Sequence, residues 1–352
     1  MNLVTKFAYY QKELEQIRDG EPVTLRRVQI DPVAYCNHDC PFCIYRYNRD
    51  EDMNALFDVK DLLSFDKMIE IFDDCVRLGI KAVELTGGGE PTLHPQFPEI
   101  LESLNERGLE IGLVTNGSWR EKFYDRIIAG MKNSVWARFS MDASTEETHR
   151  VVHAARKGDF DRAKRAIKGL VEHTSADVGI SFIVQKTNYF ELDEAVDMAE
   201  DLGVRYIRIG GLVFEGEKVT HLELDDSQNK EVSERVDDIM SQDRNLEIYN
   251  AFNSRSLVDF ERYNKGDDCY YSYISTVIGA DAKVYPCCVW KYRPAGVIAD
   301  LNEIGFAEAW DKNALGKFYD NFDISEKCNR CHLIDKNKAL YSFVTAGHIN
   351  FV

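Results

Sequence analysis

Residues 26–35 read RRVQIDPVAY, and residues 35–45 continue as YCNHDCPFCIY. The first stretch is a short apolar run of the kind that forms a buried β-strand. The second places Cys36, Cys40 and Cys43 in a C-x3-C-x2-C spacing directly after that strand. Functional groups of parallel α/β proteins gather at the carboxyl ends of their strands, so this junction is the starting point for predicting both the fold and the site.

Short apolar runs alternate with amphipathic segments from about residue 27 to residue 210, which indicates six βα repeats. Right-handed crossovers between parallel strands predict an α/β fold, a partial (β/α)6 TIM-type barrel. We expect residues 1–26 to form a helical extension and residues 211–262 a mostly helical linker. Residues 263–352 hold five of the cysteines and are predicted to form a small C-terminal domain.

The composition limits the partners and the compartment. The chain has 352 residues, of which 43 are basic and 60 acidic, giving a formal net charge of −17. This charge repels a nucleic-acid backbone, so no nucleic-acid partner is expected. No run of about 18 apolar residues and no signal peptide are evident, so we expect no membrane span and a cytoplasmic location. There, the nine cysteines are expected to be metal ligands or core residues rather than disulfides.

Three closely spaced thiols suit an iron–sulfur cluster, which normally takes four cysteines, so one iron would stay open for chemistry. A structural zinc site that uses one C-x2-C pair and remote ligands is the alternative. The second strand ends in Thr86-Gly87-Gly88-Gly89-Glu90-Pro91, where the glycines allow the backbone to approach a ligand closely. A glycine turn one βα unit after the cysteine loop favours the cluster. His38, inside the loop, is expected to face solvent.

These two motifs together resemble the radical S-adenosylmethionine (SAM) superfamily over about residues 27–210. The resemblance implies that Cys36, Cys40 and Cys43 bind a [4Fe–4S] cluster whose fourth iron is chelated by SAM. Reductive cleavage of SAM then gives methionine and a 5′-deoxyadenosyl radical, which abstracts a hydrogen atom from the substrate. A flavodoxin- or ferredoxin-type reductant is the expected electron donor. An iron–sulfur carrier or sensor without turnover is the non-enzymatic alternative.

The resemblance also implies a SAM site at the strand ends. Phe42 matches the aromatic residue that lies against adenine, and the Gly88-Gly89-Glu90 motif presents backbone to the SAM amino group. Ser140 and Asp142 follow the fourth strand, where the family contacts the ribose or methionyl group, and Asn116 follows the third. For Asn116, Ser140 and Asp142 the alternative is a satisfied turn or capping residue.

A second set of thiols consists of Cys269, Cys287, Cys328 and Cys331, with Cys288 beside Cys287. Four thiolates predict either a zinc ribbon or an auxiliary [4Fe–4S] cluster. The spacing resembles the SPASM and twitch extensions of radical SAM enzymes, except that Ala282 stands where their hairpin has glycine. The absence of cysteines after Cys331 favours the shorter twitch type with one auxiliary cluster. Cys288 is a candidate for an alternative ligand, a core residue or a hydrogen donor to the substrate.

Two substrate classes fit this resemblance. The first is a ribosomally synthesised peptide, modified at an unactivated C–H bond. Only 35 residues precede Cys36, too few for a leader-binding module, so a separate leader-peptide recognition protein or direct docking would be needed. The second is a small polar metabolite, a sugar or aminocyclitol alcohol that is dehydrogenated. A molybdopterin-type nucleotide cyclase is disfavoured because its triphosphate substrate needs a cationic pocket.

Overall fold

The computed structural model of the chain describes residues 7–21, 23–46, 55–212, 217–252, 263–264, 267–328, 331 and 333–345. Within these residues a single sheet contains ten strands, in the order β10-β9-β8-β1-β2-β3-β4-β5-β6-β7. The strands are β1 (Arg27–Ile30), β2 (Ala82–Leu85), β3 (Glu110–Thr115), β4 (Trp136–Ser140), β5 (Asp177–Val184), β6 (Tyr206–Gly211), β7 (Glu247–Ala251), β8 (Ser275–Ile278), β9 (Lys283–Tyr285) and β10 (Ala299–Asp300).

Helices connect these strands and extend the chain at both ends. The α-helices are α1 (Gln11–Asp19), α2 (Phe65–Leu78), α3 (Phe97–Glu106), α4 (Tyr124–Gly130), α5 (Glu146–His153), α6 (Asp159–His173), α7 (Leu192–Asp201), α8 (Asp226–Ser241), α9 (Tyr271–Ile274), α10 (Phe306–Asp311), α11 (Ala314–Tyr319), α12 (Ile324–Lys327) and α13 (Ile334–Val344). Short 3₁₀ helices lie at Ala8–Tyr10, Pro91–Leu93, Glu121–Phe123, Tyr189–Glu191, Glu217–Leu222 and Pro294–Gly296. In the described part of the chain no helix is both long and apolar enough to cross a membrane.

The predicted partial (β/α)6 barrel is confirmed, because β1 to β6 pair in parallel and in chain order. A further parallel strand, β7, pairs with β6. It lies within residues 211–262, which the sequence predicted to be mostly helical and which also contain α8. On the opposite side, β8 pairs in parallel with β1 and forms an antiparallel hairpin with β9. The cysteine-rich C-terminal part therefore shares the sheet of the barrel.

One face of the sheet packs against the helices and forms the main hydrophobic core. Helix α2 shows why: Ser64 caps its start by accepting from the backbone N–H of Lys67, and Gly79 ends it with a left-handed φ of 75°. Between these caps, Phe72 and Cys75 are fully buried on the face that packs against the strands. Cys75 is thus a structural thiol, as expected from its position on the apolar face of the helix.

The other face of the sheet lines the inside of the barrel, and we call it the inner face. Side chains alternate along a strand, so half-buried residues between the core positions point to this face. The inner face of the barrel strands includes Arg27, Gln29, Glu84, Trp136, Arg138, Ser140, Ser181, Tyr206 and Arg208. It is polar and aromatic, whereas the helix-covered face is apolar.

Candidate active site

The cysteine loop follows β1 immediately and brings three free thiols together. Cys36, Cys40 and Cys43 are all half-buried. The backbone N–H of Cys43 donates to the Cys40 carbonyl at 3.0 Å, and that of His38 donates to the Cys36 sulfur at 3.4 Å. Burial, with smaller contributions from the charges of Glu90 and Cys43, raises the pKa of the Cys36 thiol to about 12. Three sulfurs within electrostatic range of one another fit the ligand set of an iron–sulfur cluster.

A histidine on α5 contacts the central thiol of this loop. His153 Nδ1 lies 3.2 Å from the Cys40 sulfur, and its Nε2 lies 3.1 Å from the Met141 carbonyl. His38 is 3% exposed, with its Nε2 3.2 Å from the Ser118 hydroxyl and 3.5 Å from an Asp159 carboxylate oxygen. The expectation that His38 faces solvent was therefore wrong, because helix α6 supplies a buried carboxylate for it.

The glycine loop after β2 lies directly against the start of the cysteine loop. A Cβ on Gly89 would collide with the backbone carbonyl of Tyr35, and the backbone N–H of Glu90 donates to that carbonyl at 2.9 Å. The backbone N–H of Gly88 donates to the Asp31 carboxylate at 2.9 Å. Only a residue without a side chain permits this approach at position 89, so the two motifs form one continuous surface at the end of β1 and β2.

Glu90 is buried and fastens the glycine loop to the end of β3. Its carboxylate accepts from the Thr92 hydroxyl at 2.7 Å, from the Thr115 hydroxyl at 2.6 Å and from the backbone N–H of Asn116 at 2.8 Å. Burial raises the pKa of Glu90, and the hydroxyl donors act in the opposite direction. Both carboxylate oxygens are therefore engaged within the protein, and the side chain fixes the loop rather than pointing at a ligand.

Asn116 is in contact with the cysteine loop. Its Nδ2 donates to the Asn37 side-chain oxygen at 2.8 Å and lies 3.7 Å from the Cys36 sulfur. Ser140 is half-buried on the inner face at the end of β4. Phe42 is half-buried in the cysteine loop, and its ring centroid is 6.1 Å from that of His153. These residues surround the same end of the barrel.

Asp142 turns away from this group. It has a left-handed φ of 43°, and its carboxylate accepts from the backbone N–H of Ile183 at 2.6 Å. The other oxygen lies 3.4 Å from His153 Nε2. Burial raises the pKa of Asp142 to about 7. The carboxylate thus braces the ends of two strands and the histidine that contacts Cys40.

The second group of thiols gathers between the barrel and the C-terminal helices. Cys269, Cys328 and Cys331 pack with an aromatic cluster that contains Tyr263, Trp290, Phe318, Tyr319 and Phe322. The Tyr263 hydroxyl donates to the Cys331 sulfur at 3.2 Å. Burial, with smaller contributions from the Cys269 and Cys331 thiols, raises the pKa of Cys328 to about 12. A half-buried group of free thiols inside an aromatic shell fits a second cluster.

The two adjacent cysteines experience different surroundings. The pKa of Cys287 is raised by burial and then by Cys288 and Cys269, so this thiol lies among the second group. The pKa of Cys288 is also raised by burial, while Lys291 acts to lower it and Glu84 on β2 to raise it. Cys288 therefore lies within electrostatic range of inner-face charges, between the second thiol group and the inside of the barrel.

A buried ion pair at the glycine loop escaped sequence reasoning. Lys291 Nζ lies 2.5 Å from the Asp31 carboxylate, and both side chains are fully buried. The same carboxylate oxygen accepts from the Tyr292 hydroxyl at 2.8 Å, in addition to the backbone of Gly88. Asp31 directly follows β1, so its position at a strand end was a usable signal. Lys291 and Tyr292 carry no such signal because only the fold brings the C-terminal part to β1.

The comparisons with protein families match two parts of the chain. Residues 30–199 match the radical SAM superfamily, and residues 269–332 match SPASM, an iron-sulfur cluster-binding domain. A probable GTP 3′,8-cyclase of Saccharolobus solfataricus is 28% identical over 194 residues, which cover 54% of this chain and 58% of that protein. A tungsten-containing aldehyde ferredoxin oxidoreductase cofactor-modifying protein of Pyrococcus furiosus is 23% identical over 194 residues, covering 54% and 52%. The match thus spans little more than half the length of these curated relatives.

Solved structures show the same fold over most of the chain. SuiB of Streptococcus suis bound to the precursor peptide SuiA has a TM-score of 0.63 at 17% identity, covering 92% of this chain and 73% of that one. Native anSMEcpe with bound AdoMet has a TM-score of 0.59 at 15% identity, covering 89% and 88%. At these identities the likeness concerns the fold.

Proposed function

Since the chain belongs to the radical SAM superfamily and carries a SPASM-type iron–sulfur domain after its barrel, we propose that it is an enzyme that modifies a ribosomally synthesised peptide at an unactivated C–H bond. The observation that carries the proposal is the meeting of the C-x3-C-x2-C loop and the glycine loop at one end of a polar barrel interior. SAM and [4Fe–4S] clusters are the cofactors of these domains. When bound, the first cluster and SAM supply a 5′-deoxyadenosyl radical that abstracts a hydrogen atom from the substrate.

In this proposal, different residues at the barrel end bind the cluster, contact SAM and position the glycine loop. Cys36, Cys40 and Cys43 would hold the first cluster through their thiolates, and three protein ligands would leave a position open for SAM. The backbone of Gly88 and Gly89 receives the SAM amino group, and their lack of side chains keeps that surface open. Glu90 keeps the loop in place through Thr92, Thr115 and Asn116.

Three further residues complete the SAM pocket in this proposal. Phe42 provides an aromatic wall for the adenine, and Ser140 offers a hydroxyl on the inner face at the end of β4. Asn116 contributes through its contact with the cysteine loop. Asp142 acts indirectly, because its carboxylate braces Ile183 and His153 instead of facing the pocket.

The second thiol group serves the redox balance of the reaction. Cys269, Cys287, Cys328 and Cys331 would ligate an auxiliary [4Fe–4S] cluster completely, so it supplies an electron acceptor and no open iron. A substrate that gives up a hydrogen atom and then an electron is oxidised by two electrons overall. Cys288, which lies within range of the inner-face charges, is the candidate for contact with the substrate radical.

Support for a peptide substrate comes from the neighbours in fold. The structure of SuiB holds a precursor peptide, and anSMEcpe has been solved with the Cp18Cys peptide. A separate recognition protein for a leader peptide and a small reductant of the flavodoxin or ferredoxin type complete the proposed system. A small polar metabolite, such as a sugar or aminocyclitol alcohol, is the second candidate. The relatives named as GTP 3′,8-cyclases are named for a small polar molecule, GTP, and the cations of the inner face suit a charged metabolite. Both observations support small polar metabolites as the second substrate class.

Isotope transfer tests the proposal directly. The cluster-loaded protein is incubated with SAM, a reductant and perdeuterated candidate substrates: short peptides encoded beside its gene, or aminocyclitols. We expect deuterium in the 5′-deoxyadenosine only with a peptide, together with a mass change of that peptide. Deuterium arriving from an aminocyclitol alone would replace the peptide by the second candidate. SAM cleavage without deuterium transfer from either class would contradict both.

A further inference from the structure

The inner face carries positive charges that the proposed chemistry does not use. Arg27 is neutralised there, because its guanidinium pairs with the Glu84 carboxylate and donates to the Tyr271 hydroxyl at 2.6 Å. Arg138 on β4 and Lys336 on α13 are also half-buried, but neither forms an ion pair with any residue that the structure describes. Burying a charge is costly unless it has a partner, so these two cations require an explanation.

Arg138 lies on an aromatic surface in the middle of the barrel. Its guanidinium carbon is 5.6 Å from the ring centre of Trp136. The strand register places it beside Gly179, whose missing side chain leaves the space that the Tyr206 ring fills. Burial raises the pKa of the Tyr206 phenol, whereas Arg138 and Arg208 act to lower it, so both cations are near this ring. The guanidinium of Arg138 therefore lies against the Trp136 ring and beside the strand position that the Tyr206 ring covers, with donors left for a ligand.

Lys336 reaches the same interior from the C-terminal helix. Its ammonium lies 5.3 Å from the ring centre of Tyr271. Burial and the positive charges of Arg27 and Arg138 lower the pKa of Lys336, whereas Glu84 and Cys288 act to raise it. Tyr271 contacts both Lys336 and Arg27. The Trp136 ring beside Arg138 lies over Gly112, the register partner of Glu84. A lysine and two arginines from three separate elements thus border one region of the inner face.

Among the residues that the structure describes, no carboxylate pairs with Arg138 or Lys336. Asp177 and Glu247 share the inner-face register, but they lie at exposed strand starts, where Arg205 pairs with both. Glu84 is already bound to Arg27. Although the chain has a net charge of −17, the described residues of the inner face thus include two cations without a paired carboxylate, which is the pattern of an anion site.

We infer that the barrel binds an anionic group of its substrate, a carboxylate or a phosphate, between Arg138 and Lys336, with Trp136 and Tyr206 as apolar walls. This rests on the proposed function, because it takes the inner face as the substrate chamber. Arg138 lies two residues before Ser140, about 7 Å deeper in the barrel than the strand end. The anion thus anchors the substrate at depth and presents its reacting carbon toward the cysteine loop.

Calorimetric titration of the cluster-loaded, full-length protein tests this site. The probes are sodium pyrophosphate and two capped tetrapeptides that differ only by glutamate or glutamine. The variants are Arg138→Met, Arg138→Lys and Lys336→Met. Arg205→Met, an exposed arginine of the same sheet, is the matched control. Iron content and circular dichroism establish that each variant is folded and loaded.

We expect the wild type and Arg205→Met to bind pyrophosphate or the glutamate peptide, and the glutamine peptide about tenfold more weakly. Arg138→Met and Lys336→Met should each lose about tenfold in affinity, and Arg138→Lys less, since it keeps the charge but not the fork. Preference for pyrophosphate identifies a phosphoryl group, and preference for the glutamate peptide a carboxylate.

Two results would overturn the inference: no anion binding by the wild type, or equal binding by the wild type, Arg138→Met and Lys336→Met. Cleavage of SAM by the wild type, followed in parallel, separates this from the proposed function. If SAM is cleaved while anions do not bind, only the anion site fails. If SAM is not cleaved although anions bind, the proposed function fails.

Discussion

At the scale of single residues, the ion pair between Lys291 and Asp31 links the C-terminal part of the chain to the glycine loop. One Asp31 oxygen lies 2.5 Å from Lys291 Nζ. The same oxygen accepts from the backbone N–H of Gly88 at 2.9 Å and from the Tyr292 hydroxyl at 2.8 Å. Because both side chains are fully buried, removing either partner would leave an uncompensated buried charge, which strongly destabilises the folded state. The C-terminal part therefore contributes to the shape of the glycine loop.

Replacing Lys291 with methionine tests this link. Lys291→Met leaves the Asp31 charge buried without its cation, so the free energy of unfolding in urea should fall by about 3–5 kcal/mol. The double variant Asp31→Asn/Lys291→Met removes both charges and should recover most of this loss. Lys312→Met, which breaks only the exposed pair with Glu308, should change stability by less than about 1 kcal/mol. A double variant no more stable than Lys291→Met would contradict the coupling.

The contact between His153 and Cys40 predicts an effect on the first cluster. His153 Nε2 faces the Met141 carbonyl and donates to it, so Nδ1 of the neutral ring, 3.2 Å from the Cys40 sulfur, is an acceptor. Nδ1 can donate to a Cys40 thiolate only when the ring is protonated, and the Asp142 carboxylate 3.4 Å from Nε2 would balance that charge once Cys40 ligates iron. Donors to cluster sulfurs raise the reduction potential. His153→Ala should lower the midpoint potential by about 60 mV, the equivalent of one charged hydrogen bond. Spectroscopic redox titration measures it, with His173→Ala on α6 as control, and an unchanged potential would exclude the bond.

At the scale of elements, the glycine loop after β2 and the cysteine loop after β1 can form the proposed SAM surface only if their backbones touch. Gly89→Ala would push a methyl group into the Tyr35 carbonyl, next to Cys36. We expect this variant to bind SAM at least tenfold more weakly (roughly 1.4 kcal/mol) in equilibrium dialysis of the loaded protein. Gly305→Ala, where the nearest atom is 3.5 Å away and φ is −66°, should bind as the wild type does. Equal affinity of both variants would argue against the close approach.

The elements also show how far the sequence leads. Apolar runs with a clear period predicted β1 to β6, because their outer side chains enter the main core. Strand β7 was missed, since Glu247–Ala251 is a short edge strand with no fully buried residue, and only pairing with β6 defines it. Ala282 keeps a left-handed φ of 59° at the position where glycine was expected, so the hairpin turn survives the substitution.

The residues of the candidate site also separate into those that the sequence indicates and those that only the fold brings together. The thiols and glycines were predictable because chemistry dictates both residue type and spacing. The roles of Glu90 and Asp142 as braces, and the contacts of His38, His153 and Lys291, depend on which helices and strands meet, so no local pattern could supply them. Arg138 looked like an ordinary strand residue until the register placed it beside Gly179 and the Tyr206 ring.

At the scale of the whole molecule, one sheet joins the barrel to the cysteine-rich part through the pairing of β8 with β1. The second thiol group therefore has a fixed position relative to the inner face, with Cys288 between the two. The chain is acidic overall, yet it places arginine and lysine side chains inside the barrel. This division is consistent with the anion site inferred on the inner face.

Metal content is a property of the whole chain. Anaerobic reconstitution should give about eight irons per chain if both thiol groups hold [4Fe–4S] clusters. Cys328→Ala should retain about half of this iron, in the first cluster. Iron and zinc quantified per chain distinguish an iron–sulfur cluster from a zinc ion at the second thiol group. About four irons with one zinc would show that the second group is a zinc site.

Reductive cleavage of SAM is the most direct test of radical SAM chemistry at the first thiol group. The reconstituted wild type, Cys36→Ala and Cys328→Ala are incubated anaerobically with SAM and a reductant, and 5′-deoxyadenosine is quantified by mass spectrometry. We expect the wild type to cleave SAM and Cys328→Ala to retain this cleavage. Cys36→Ala should lose it, because one of the three cluster ligands is gone. Absence of 5′-deoxyadenosine with the loaded wild type, or its undiminished formation by Cys36→Ala, would contradict the account.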